Sequence, residues 1–396
     1  MSGHSITMPF PARLRSRLQL DPVLLGVALA LLCCGLVILA SASISVTDEP
    51  LFYLERQLVA AAIGVAGATV CLYLPMRILQ GLGPLLLLAA FAMLIVVLLP
   101  GVGYTVNGAT RWVRFGIMNL QVSEPARLFF LIYLAGYLVR RNRQLREGFV
   151  GFLPPMILLC IACALLLAEP DFGAAVVLAA TLLAMVFVAG ARMRDVFAFV
   201  GTGVIALSIL AVTSPYRMDR LIAFTDPWSR AFDSGFQLTQ SLIAIGRGEL
   251  FGVGLGDSVQ KLFYLPEAHT DFVFAVFAEE FGLVGALGLV ALFLLLLWRI
   301  FNLANRAAQA DRLFEAYLAV GIGTWIGLQA FINMGVNMGL LPTKGLTLPM
   351  ISYGRSSLII TIVAIGLLLR IHHELVTDTA PANRDGRSRR RRKKRQ

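Results

Sequence analysis

The sequence predicts an all-α polytopic membrane protein with ten transmembrane helices, and three observations support this prediction. Hydrophobic residues make up 58% of the 396 residues and charged residues only 14%, a balance that no soluble globular core requires. Apolar stretches of about 20 residues, the length that crosses a bilayer as a helix, recur along most of the chain. The arginines between these stretches fall in alternate connecting segments, as the positive-inside rule expects of cytoplasmic loops.

The predicted spans cover residues 23–42, 56–74, 78–99, 125–139, 150–168, 172–190, 195–213, 271–298, 316–338 and 350–371. The first span ends in an A-x-A pattern, Ala40 and Ala42, that resembles a signal cleavage site. Its apolar run is longer than the roughly 7–15 residues of a signal peptide. We therefore interpret the first span as an uncleaved anchor.

Charge places both termini in the cytoplasm. The segments assigned to the inner side carry Arg77, Arg140, Arg141, Arg143, Arg146, Arg192, Arg194, Arg299, Arg306 and Arg312, whereas the short outer loops carry few cations. The domain plan is an N-terminal cytoplasmic segment at 1–20, a transmembrane domain at 21–372 and a basic cytoplasmic tail at 373–396. A large outer loop at 214–270 separates spans seven and eight.

The net charge of +11 comes largely from the terminal run at 387–396. Membrane topology explains that run, so it does not indicate a nucleic-acid partner. The tail fits a disordered topogenic segment, a contact with anionic lipid or a contact with a cytoplasmic partner equally well. The five cysteines lie in apolar spans and fit packing residues, and no redox or zinc context accompanies the CxxC spacing of Cys160 and Cys163.

Three outer segments are too long or too polar to be simple connectors. They are residues 100–124 with Arg111, Arg114 and Glu124, the turn Glu169–Gly173 with the acids Glu169 and Asp171, and the loop 214–270. Long segments without regular structure are usually functional. The sequence therefore directs the search for chemistry to the outer side.

The acids of greatest interest lie between residues 265 and 282. Asp271 opens the predicted helix 271–298, and Glu279 and Glu280 lie inside it. Ionisable groups within a span cost free energy and are functional-site candidates by default. A helix N-terminus favours an anion, so Asp271 can act as a base, although a helix-capping role explains it as well. A buried hydrogen-bonding role explains Glu279 and Glu280 as well, and it is the favoured interpretation of Glu280.

Cations and one histidine complete the set of outer candidates. Lys344 lies between two prolines in the outer segment 339–349. Arg111, Arg114 and Arg127 either reach toward lipid headgroups or bind a pyrophosphate through their forked donors. Glu124 and Arg127, three residues apart, also fit a helical ion pair. His269 fits a rim residue better than a metal ligand, because no second histidine is near it in the sequence.

Five motifs follow one another from about residue 100 to 357. They are RWVRFGIMNLQVSEPAR, EPDFG, RMDRLIAFTDPW with GFQLTQSLIAIGRGELFGVGLG, LPEAHTDFVFAVFAEEFG, and NMGVNMGLLPTKGLTLPMISYGRSS. Together they resemble the SEDS (shape, elongation, division and sporulation) family of bacterial membrane proteins, and DFVFAVFAEEFG with the basic tail resembles its cell-division members. Two positions depart from the family's pattern. Arg127 replaces a lysine, and Arg355 replaces the second glycine of SYGGSS.

The resemblance implies a peptidoglycan glycosyltransferase that polymerises lipid II on the periplasmic face of the inner membrane. It implies that the catalytic residue Asp271 deprotonates the 4-hydroxyl of the acceptor sugar in an inverting displacement. The implied substrate-binding residues are Lys344, Arg111, Arg114, Glu124, Arg127, His269 and Ser352. Glu279, Glu280, Glu169 and Asp171 receive structural or supporting roles. No cofactor is required by the sequence, although a divalent cation such as Mg or Mn can assist a leaving pyrophosphate.

The resemblance also implies partners and a place in the cell. The partners are lipid II, the nascent glycan strand, membrane lipids, a class B penicillin-binding protein of the FtsI type and the divisome proteins FtsQ, FtsL and FtsB; nucleic acid is not among them. The location is the division septum. Two other functions stay open, a lipid II flippase, which needs a polar route through the membrane midplane, and a non-catalytic scaffold that recruits the transpeptidase.

Overall fold

The computed structural model describes residues 18–43, 51–106, 109–115, 118–212, 224–233, 235–262, 265–342 and 345–379. Its helices within these ranges are α1 (Pro22–Ser43), α2 (Phe52–Tyr73), α3 (Met76–Val97), α4 (Ser123–Arg140), α5 (Asn142–Glu147), α6 (Phe149–Ala168), α7 (Phe172–Val188), α8 (Met193–Val212), α9 (Phe236–Arg247), α10 (Val273–Gln309), α11 (Leu313–Asn337) and α12 (Arg355–Thr379). Its strands are β1 (Gly103–Val106), β2 (Ala109–Phe115) and β3 (Met118–Gln121).

Seven of the described helices are long and apolar enough to cross a membrane: α1, α2, α3, α6, α10, α11 and α12. Helix α7 is apolar but has 17 residues, and α4 and α8 coincide with the predicted spans at 125–139 and 195–213. The chain is therefore a multi-pass helical membrane protein. The count of ten spans stays a prediction.

The core lies around α11 and α12, which are the most enclosed of the seven long apolar helices. Helix α11 packs against α4, α7 and α10, and α12 packs against α2. Buried polar side chains are concentrated on α11, where Gln329, Asn333 and Asn337 face the interior. Such groups need hydrogen-bond partners, and they find them in the segments that enter α10 and α12.

A small sheet corrects the all-α prediction. Strands β1, β2 and β3 form an antiparallel meander within the outer segment 100–124. The segment is too polar to enter the membrane, and its β-branched and aromatic residues, such as Thr105, Thr110 and Trp112, favour an extended backbone. The backbone N–H of Gln121 donates to Ser356 Oγ over 2.9 Å, so the sheet is attached to the start of α12.

Helix α10 differs from the uninterrupted helix predicted for 271–298. It begins at Val273, extends to Gln309 and breaks at Gly282, where φ is 64° and ψ is −166°. The glycine-rich loop after α9 occupies the break. The N–H groups of Val253 and Gly254 donate to the carbonyls of Glu279 and Glu280 over 3.0 and 3.2 Å.

The backbone N–H groups that follow the break are also hydrogen-bonded. The N–H groups of Leu283 and Val284 donate to the carbonyls of Glu249 and Leu250 over 2.9 and 3.1 Å. Irregular backbone inside a membrane protein is tolerated where protein groups pair it. The break in α10 is therefore a docking point for the outer loop.

Replacing Gly282 by alanine should destabilise the protein, because only glycine adopts this backbone conformation readily. An added Cβ would also collide with the backbone nitrogen of Gly252. Gly288 lies in the same helix, and a Cβ added there would meet no atom within 4 Å, so it is the matched control. We expect Gly282→Ala to lower the free energy of unfolding by at least about 2 kcal/mol, which lowers the midpoint of thermal unfolding of the purified protein. We expect Gly288→Ala to change that midpoint little. Equal unfolding midpoints for the two variants would contradict this account of the break.

Candidate active site

Asp271 lies in the turn just before α10 and is half-buried. Its backbone carbonyl accepts hydrogen bonds from two side-chain amides of α11, Asn333 Nδ2 at 2.9 Å and Asn337 Nδ2 at 3.0 Å. Asn337 Oδ1 in turn accepts from the N–H of Ala275 over 3.1 Å. Phe272, and not Asp271, occupies the N-cap position of α10, and no side chain caps it. Asp271 therefore lies one residue before the N-cap position.

The segment between α11 and α12 passes beside the Asp271 carboxylate. Asn333 Nδ2 also donates to the carbonyl of Leu346 over 2.6 Å. A Cβ built on Gly345 would lie 3.4 Å from Asp271 Oδ2, so this carboxylate faces the residue that directly follows Lys344. Lys344 itself lies outside the described residues.

His269 lies in an aromatic cluster with Tyr53 of α2 and Tyr353. Its ring centre is 4.5 Å from that of Tyr53 and 5.9 Å from that of Tyr353, and its carbonyl accepts from the N–H of Tyr353 over 2.8 Å. Burial lowers the pKa of His269 below its ordinary value of 6.5, partly offset by nearby Glu267, so the ring is neutral at neutral pH. The cluster joins the turn before α10 to the segment before α12.

Ser352 does not fit the predicted role of a substrate contact. The side chain is buried, and its hydroxyl accepts from the N–H of Leu348 over 2.7 Å. Its carbonyl accepts from Gln57 Nε2 over 3.1 Å. Ser352 therefore shapes the segment that passes Asp271 and is enclosed by protein.

Arg127 and Glu124 form part of the interior of α4. Arg127 Nη1 donates to Gln329 Oε1 over 2.8 Å and lies 3.4 Å from Glu124 Oε2, and its guanidinium lies over the Trp325 ring. Both side chains are buried, so the predicted contact of Arg127 with pyrophosphate is wrong for this conformation, and so is that of Glu124. A helical ion pair, the alternative interpretation from the sequence, describes them.

Hydrogen bonds connect this buried arginine to the turn of Asp271. Gln329, which accepts from Arg127, donates through Nε2 to the carbonyl of Thr347 over 3.0 Å. The adjacent carbonyl of Leu346 accepts from Asn333, which also holds the Asp271 carbonyl. Arg127 thus supports the position of Asp271 through α11 and does not approach an open surface.

Arg111 and Asp171 link the sheet to the turn before α7. Arg111 Nη2 donates to the carbonyl of Pro170 over 2.6 Å, and Arg111 Nη1 lies 3.7 Å from Asp171 Oδ1. Asp171 caps α7 by accepting from the N–H of Ala174 over 3.2 Å. It also accepts from the side chains of Gln121 and Ser123. Asp171 is therefore a structural junction, and Arg111 keeps a quarter of its side-chain surface exposed.

Arg114 is the exposed arginine of the same strand, with its guanidinium 4.3 Å from the centre of the Tyr104 ring. Of the three outer arginines predicted to bind pyrophosphate, Arg114 and Arg111 are accessible and Arg127 is not. Among the described residues, no group of three or more His, Cys, Asp or Glu side chains could hold a metal ion.

Glu169 is fully buried beside Asp171 and Arg111. Neither of its carboxyl oxygens has a hydrogen-bond partner within the described part of the chain. Burial, reinforced by the Asp171 charge and only partly offset by Arg111, raises the pKa of Glu169 from 4.5 to about 8. The side chain is therefore mostly an uncharged acid at neutral pH.

Glu169→Gln should flatten the dependence of stability on pH. Because the pKa of Glu169 is raised in the folded protein, its contribution to stability is complete below the unfolded value of 4.5 and is lost as pH rises through about 8. We expect the unfolding midpoint of the wild type to fall between about pH 6 and about pH 9, and that of the variant to fall less. Glu147→Gln, which changes an exposed acid, is the control and should behave as the wild type; identical slopes for all three proteins would contradict the prediction.

Glu279 and Glu280 both hold the glycine-rich loop. Glu279 accepts from the Ser258 hydroxyl and from the N–H of Val259 at 3.2 Å, and it lies 3.4 Å from Arg247 Nη1. Glu280 pairs with the buried Lys261, whose Nζ is 2.8 Å away.

Helix α1 also contacts the ion pair of Glu280 and Lys261. The Ser41 hydroxyl of α1 donates to Glu280, and Lys261 Nζ donates to the carbonyl of Gly256 over 2.6 Å. Sequence reasoning missed Lys261, because nothing in the loop's composition indicates that this lysine folds back to an acid in α10. The two acids therefore pair with protein groups.

Comparison with known proteins places these observations in a family. A model of the FtsW/RodA/SpoVE family of cell cycle proteins matches residues 22–377. The chain belongs to this family. Two FtsW/RodA/SpoVE relatives, from Thioalkalivibrio sulfidiphilus and Alkalilimnicola ehrlichii, are each named a probable peptidoglycan glycosyltransferase FtsW. The first is 58% identical over 368 residues, 92% of each chain, and the second is 55% identical over 366 residues, 90% of each chain.

Solved structures of the FtsW/RodA/SpoVE family share the fold. A chain of a peptidoglycan synthase complex, described as coordinating polymerization and crosslinking, superposes with a TM-score of 0.77 at 32% identity, covering 91% of this chain and 99% of that one. The rod shape determining protein RodA of Thermus thermophilus superposes with a TM-score of 0.68 at 33% identity, covering 92% and 99%.

In this FtsW/RodA/SpoVE chain, the described parts of three motifs, those of Arg111, Asp271 and Tyr353, lie together at one end of the helices. The turn of Asp271, the segment that follows Lys344 and the start of α12 are joined by the hydrogen bonds of α11 and Tyr353. The sheet carrying Arg111 and Arg114 is joined to the same place through Ser356. The arrangement offers a carboxylate on a backbone held by two amides, together with accessible cations on the neighbouring sheet.

Proposed function

We propose that the chain is a peptidoglycan glycosyltransferase that polymerises lipid II into β-1,4 glycan strands during septal wall synthesis. The observation that carries the proposal is the half-buried Asp271, whose backbone is held by two amides of α11 while its carboxylate faces the segment of Lys344. A carboxylate fixed in this way suits a general base. The relatives named as probable peptidoglycan glycosyltransferases, at more than half identity, support the same reaction.

The reaction is an inverting displacement at C1 of the donor sugar. Asp271 takes the proton from the acceptor 4-hydroxyl while the hydroxyl oxygen forms a bond to C1. The bond from C1 to the pyrophosphate oxygen breaks at the same time. The electron pair leaves with undecaprenyl pyrophosphate, whose developing charge needs cations. Lys344, Arg111 and Arg114 are the cations we assign to it, and His269, Ser352, Glu124 and Arg127 support the site from within the protein.

We further propose ten spans, with both termini cytoplasmic and Asp271 at the periplasmic rim. Contacts between the two ends of the chain support an even number of spans. The N–H of Gln19 donates to His373 Nδ1 over 3.1 Å, and Asp21 pairs with Arg299 Nε over 2.6 Å. Arg299 lies about 25 Å beyond the break at Gly282 by the rise of a helix, so this contact is at the end of α10 opposite to Asp271.

The partner we propose is a class B penicillin-binding protein of the FtsI type, which would crosslink the strands that this chain makes at the division septum. The similarity to a chain of a peptidoglycan synthase complex supports such a pairing. The inner loop between α10 and α11, with the exposed apolar face of α10 that includes Leu287, Leu294 and Trp298, is a docking surface for it. FtsQ, FtsL and FtsB are proposed as further divisome partners.

A flippase would need polar groups along a route through the membrane. Glu279 and Glu280 are acids within the predicted span 271–298, and both pair with the glycine-rich loop. A scaffold would need no fixed carboxylate at the rim. The structure thus favours the enzyme over either alternative.

An assay in liposomes distinguishes the three functions. The liposomes contain the purified chain with its transpeptidase and fluorescent lipid II. The glycosyltransferase predicts polymer longer than the substrate, detected by gel electrophoresis. A flippase would move labelled lipid II between leaflets without making polymer. A scaffold would do neither, and either of these two results would overturn the proposal.

A further inference from the structure

The end of α6 far from Asp171 carries an apolar groove, and the segment that leads into α6 is rich in arginine. Helix α6 has 20 residues and is about 30 Å long by the rise of a helix, close to the thickness of the hydrocarbon core. The first turn of α6, where the groove begins, therefore lies about one membrane thickness from Asp171 and the sheet beside it. Neither the sequence motifs nor the proposed reaction assigns it a role.

The groove has a volume of about 460 Å³ and is apolar throughout. Its lining residues are Phe149, Val150, Leu153, Pro154, Ile157 and Leu158. Val150 is 78% exposed and Phe149 51% exposed, so the first turn of α6 lies open to the surroundings. An apolar chain lying along the helix would cover these side chains.

Six exposed arginines lie in the segments that lead into α6 and α8: Arg140, Arg141, Arg143, Arg146, Arg192 and Arg194. Two of them are held in place by backbone carbonyls. Arg146 Nε donates to the carbonyl of Ala189 over 3.3 Å, and Arg192 donates to the carbonyls of Arg146 and Glu147. These bonds join the turn before α6 to the turn before α8, and they fix two guanidinium groups in position without neutralising them.

Carboxylates neutralise only part of this cluster. Arg143 pairs with Glu147 over 2.6 Å, and Arg194 lies 3.5 Å from Asp195. Within the described ranges, Arg140, Arg141, Arg146 and Arg192 have no carboxylate partner. The cluster therefore carries an excess of positive charge, part of which is held by backbone carbonyls.

Three arginines elsewhere at the same end of the molecule are paired with carboxylates. Arg299 pairs with Asp21, and both Arg312 and Arg370 pair with Glu374. A basic inner loop that served topology alone would not need to hold its cations fixed beside an apolar groove.

We propose that this site binds an anionic phospholipid, with its phosphate on Arg146 and Arg192 and an acyl chain in the α6 groove. Guanidinium groups bind phosphate oxygens through paired donors, and basic pockets beside membrane helices attract anionic headgroups. A zwitterionic lipid brings an ammonium group that the unpaired arginines repel. Because the site uses no residue of the candidate active site, it stands or falls independently of the proposed reaction.

Lipid retention by the full-length chain tests the proposal. The protein is purified in detergent, incubated with equal amounts of phosphatidylglycerol and phosphatidylethanolamine, and analysed by native mass spectrometry. We expect the wild type to retain phosphatidylglycerol at least about fivefold over phosphatidylethanolamine. Equal retention of the two lipids would overturn the proposal.

Variants separate the specific site from a general attraction of anions. Arg146→Gln with Arg192→Gln should abolish the preference. Because these two residues also join turns, Arg140→Gln with Arg141→Gln provides a pair that holds no backbone carbonyl, and Val150→Glu places an anion in the groove; both should reduce retention severalfold. Arg143→Gln, which removes an already paired cation, is the matched control and should retain the lipid.

Three outcomes would contradict a phospholipid site. They are loss of retention in Arg143→Gln to the same extent as in the other variants, unchanged retention in Val150→Glu, and displacement of the lipid by inorganic phosphate at equal concentration. A change in oligomeric state of Val150→Glu with unchanged lipid retention would instead assign the groove to a second copy of the chain, and would overturn the proposal as well.

Discussion

Asp271→Asn should lower the rate of glycan polymerisation by about 10²–10⁴-fold, the range expected when a general base is removed. The substitution keeps the size of the side chain, and the bonds from Asn333 and Asn337 go to the backbone carbonyl of residue 271, so they remain. The amide cannot accept the proton of the acceptor hydroxyl. The measurement is the initial rate with saturating lipid II, using the chain in complex with its transpeptidase.

Asp257→Asn is the matched control for this substitution. Asp257 is an exposed acid of the same outer region, and its substitution should leave the polymerisation rate within about twofold of the wild type. Binding of lipid II to the Asp271→Asn protein should remain, because the cations assigned to the pyrophosphate are unchanged. A polymerisation rate of Asp271→Asn close to that of the control would remove Asp271 from the reaction.

Lys261→Met should destabilise the fold by about 3–5 kcal/mol, because it leaves the buried Glu280 without its counter-charge. Glu280 and Lys261 are both almost completely buried, with 2.8 Å between Lys261 Nζ and Glu280 Oε1. The pair connects the outer loop to α1 and to α10 just before its break. The measurement is the thermal unfolding of the purified protein, with retained far-UV circular dichroism at low temperature as the test of folding.

The double variant Lys261→Met with Glu280→Gln should recover most of the lost stability. Removing both charges avoids the cost of an isolated buried charge, and replacing a buried ion pair is often neutral. Arg247→Gln, which loses a half-exposed contact with Glu279, should cost less than about 1 kcal/mol. If Lys261→Met and Arg247→Gln have the same unfolding midpoint, the buried pair does not anchor the loop.

The positions of the helices could be predicted from the sequence because membrane insertion depends on apolar length. Helices α4 and α8 coincide with the predicted spans at 125–139 and 195–213, of which the first is the shortest of the ten. The small sheet was not predicted, because the segment 100–124 was judged by its polarity and its arginines. Its alternation of β-branched and aromatic residues was the signal that could have indicated strands.

The sequence pointed to Asp271 as a candidate but not to the residues that hold its backbone. A carboxylate before an apolar helix pointed to Asp271, whereas its connection to Asn333 and Asn337 depends on the packing of α10 against α11. The same dependence on helix packing explains why the positions of Arg127 and Ser352 could not be predicted. Both looked like outer contacts in sequence, and both are buried because α4 and the segment before α12 turn them toward the core. Sequence spacing gives the depth of a residue in the membrane, and the face it presents is set by helix packing.

The break in α10 could not be predicted from the sequence either. Gly282 follows the acid pair Glu279 and Glu280, and an isolated glycine inside an apolar run is compatible with a continuous helix. The break requires a partner for the freed backbone groups, and that partner is a loop about 30 residues earlier in the chain. The roles of the two acids follow from the same loop, because Ser258 and Lys261 reach them from it.

Analysis of the glycan product tests most directly whether Asp271 is the base that forms β-1,4 glycan from lipid II. Purified wild type and Asp271→Asn, each with the transpeptidase, are supplied with fluorescent lipid II, and the products are separated before and after digestion by a muramidase, with Lys344→Ala assayed alongside. We predict strands from the wild type that the muramidase cuts, and none from Asp271→Asn protein that is folded. Strands of equal amount and equal sensitivity from Asp271→Asn would contradict the claim.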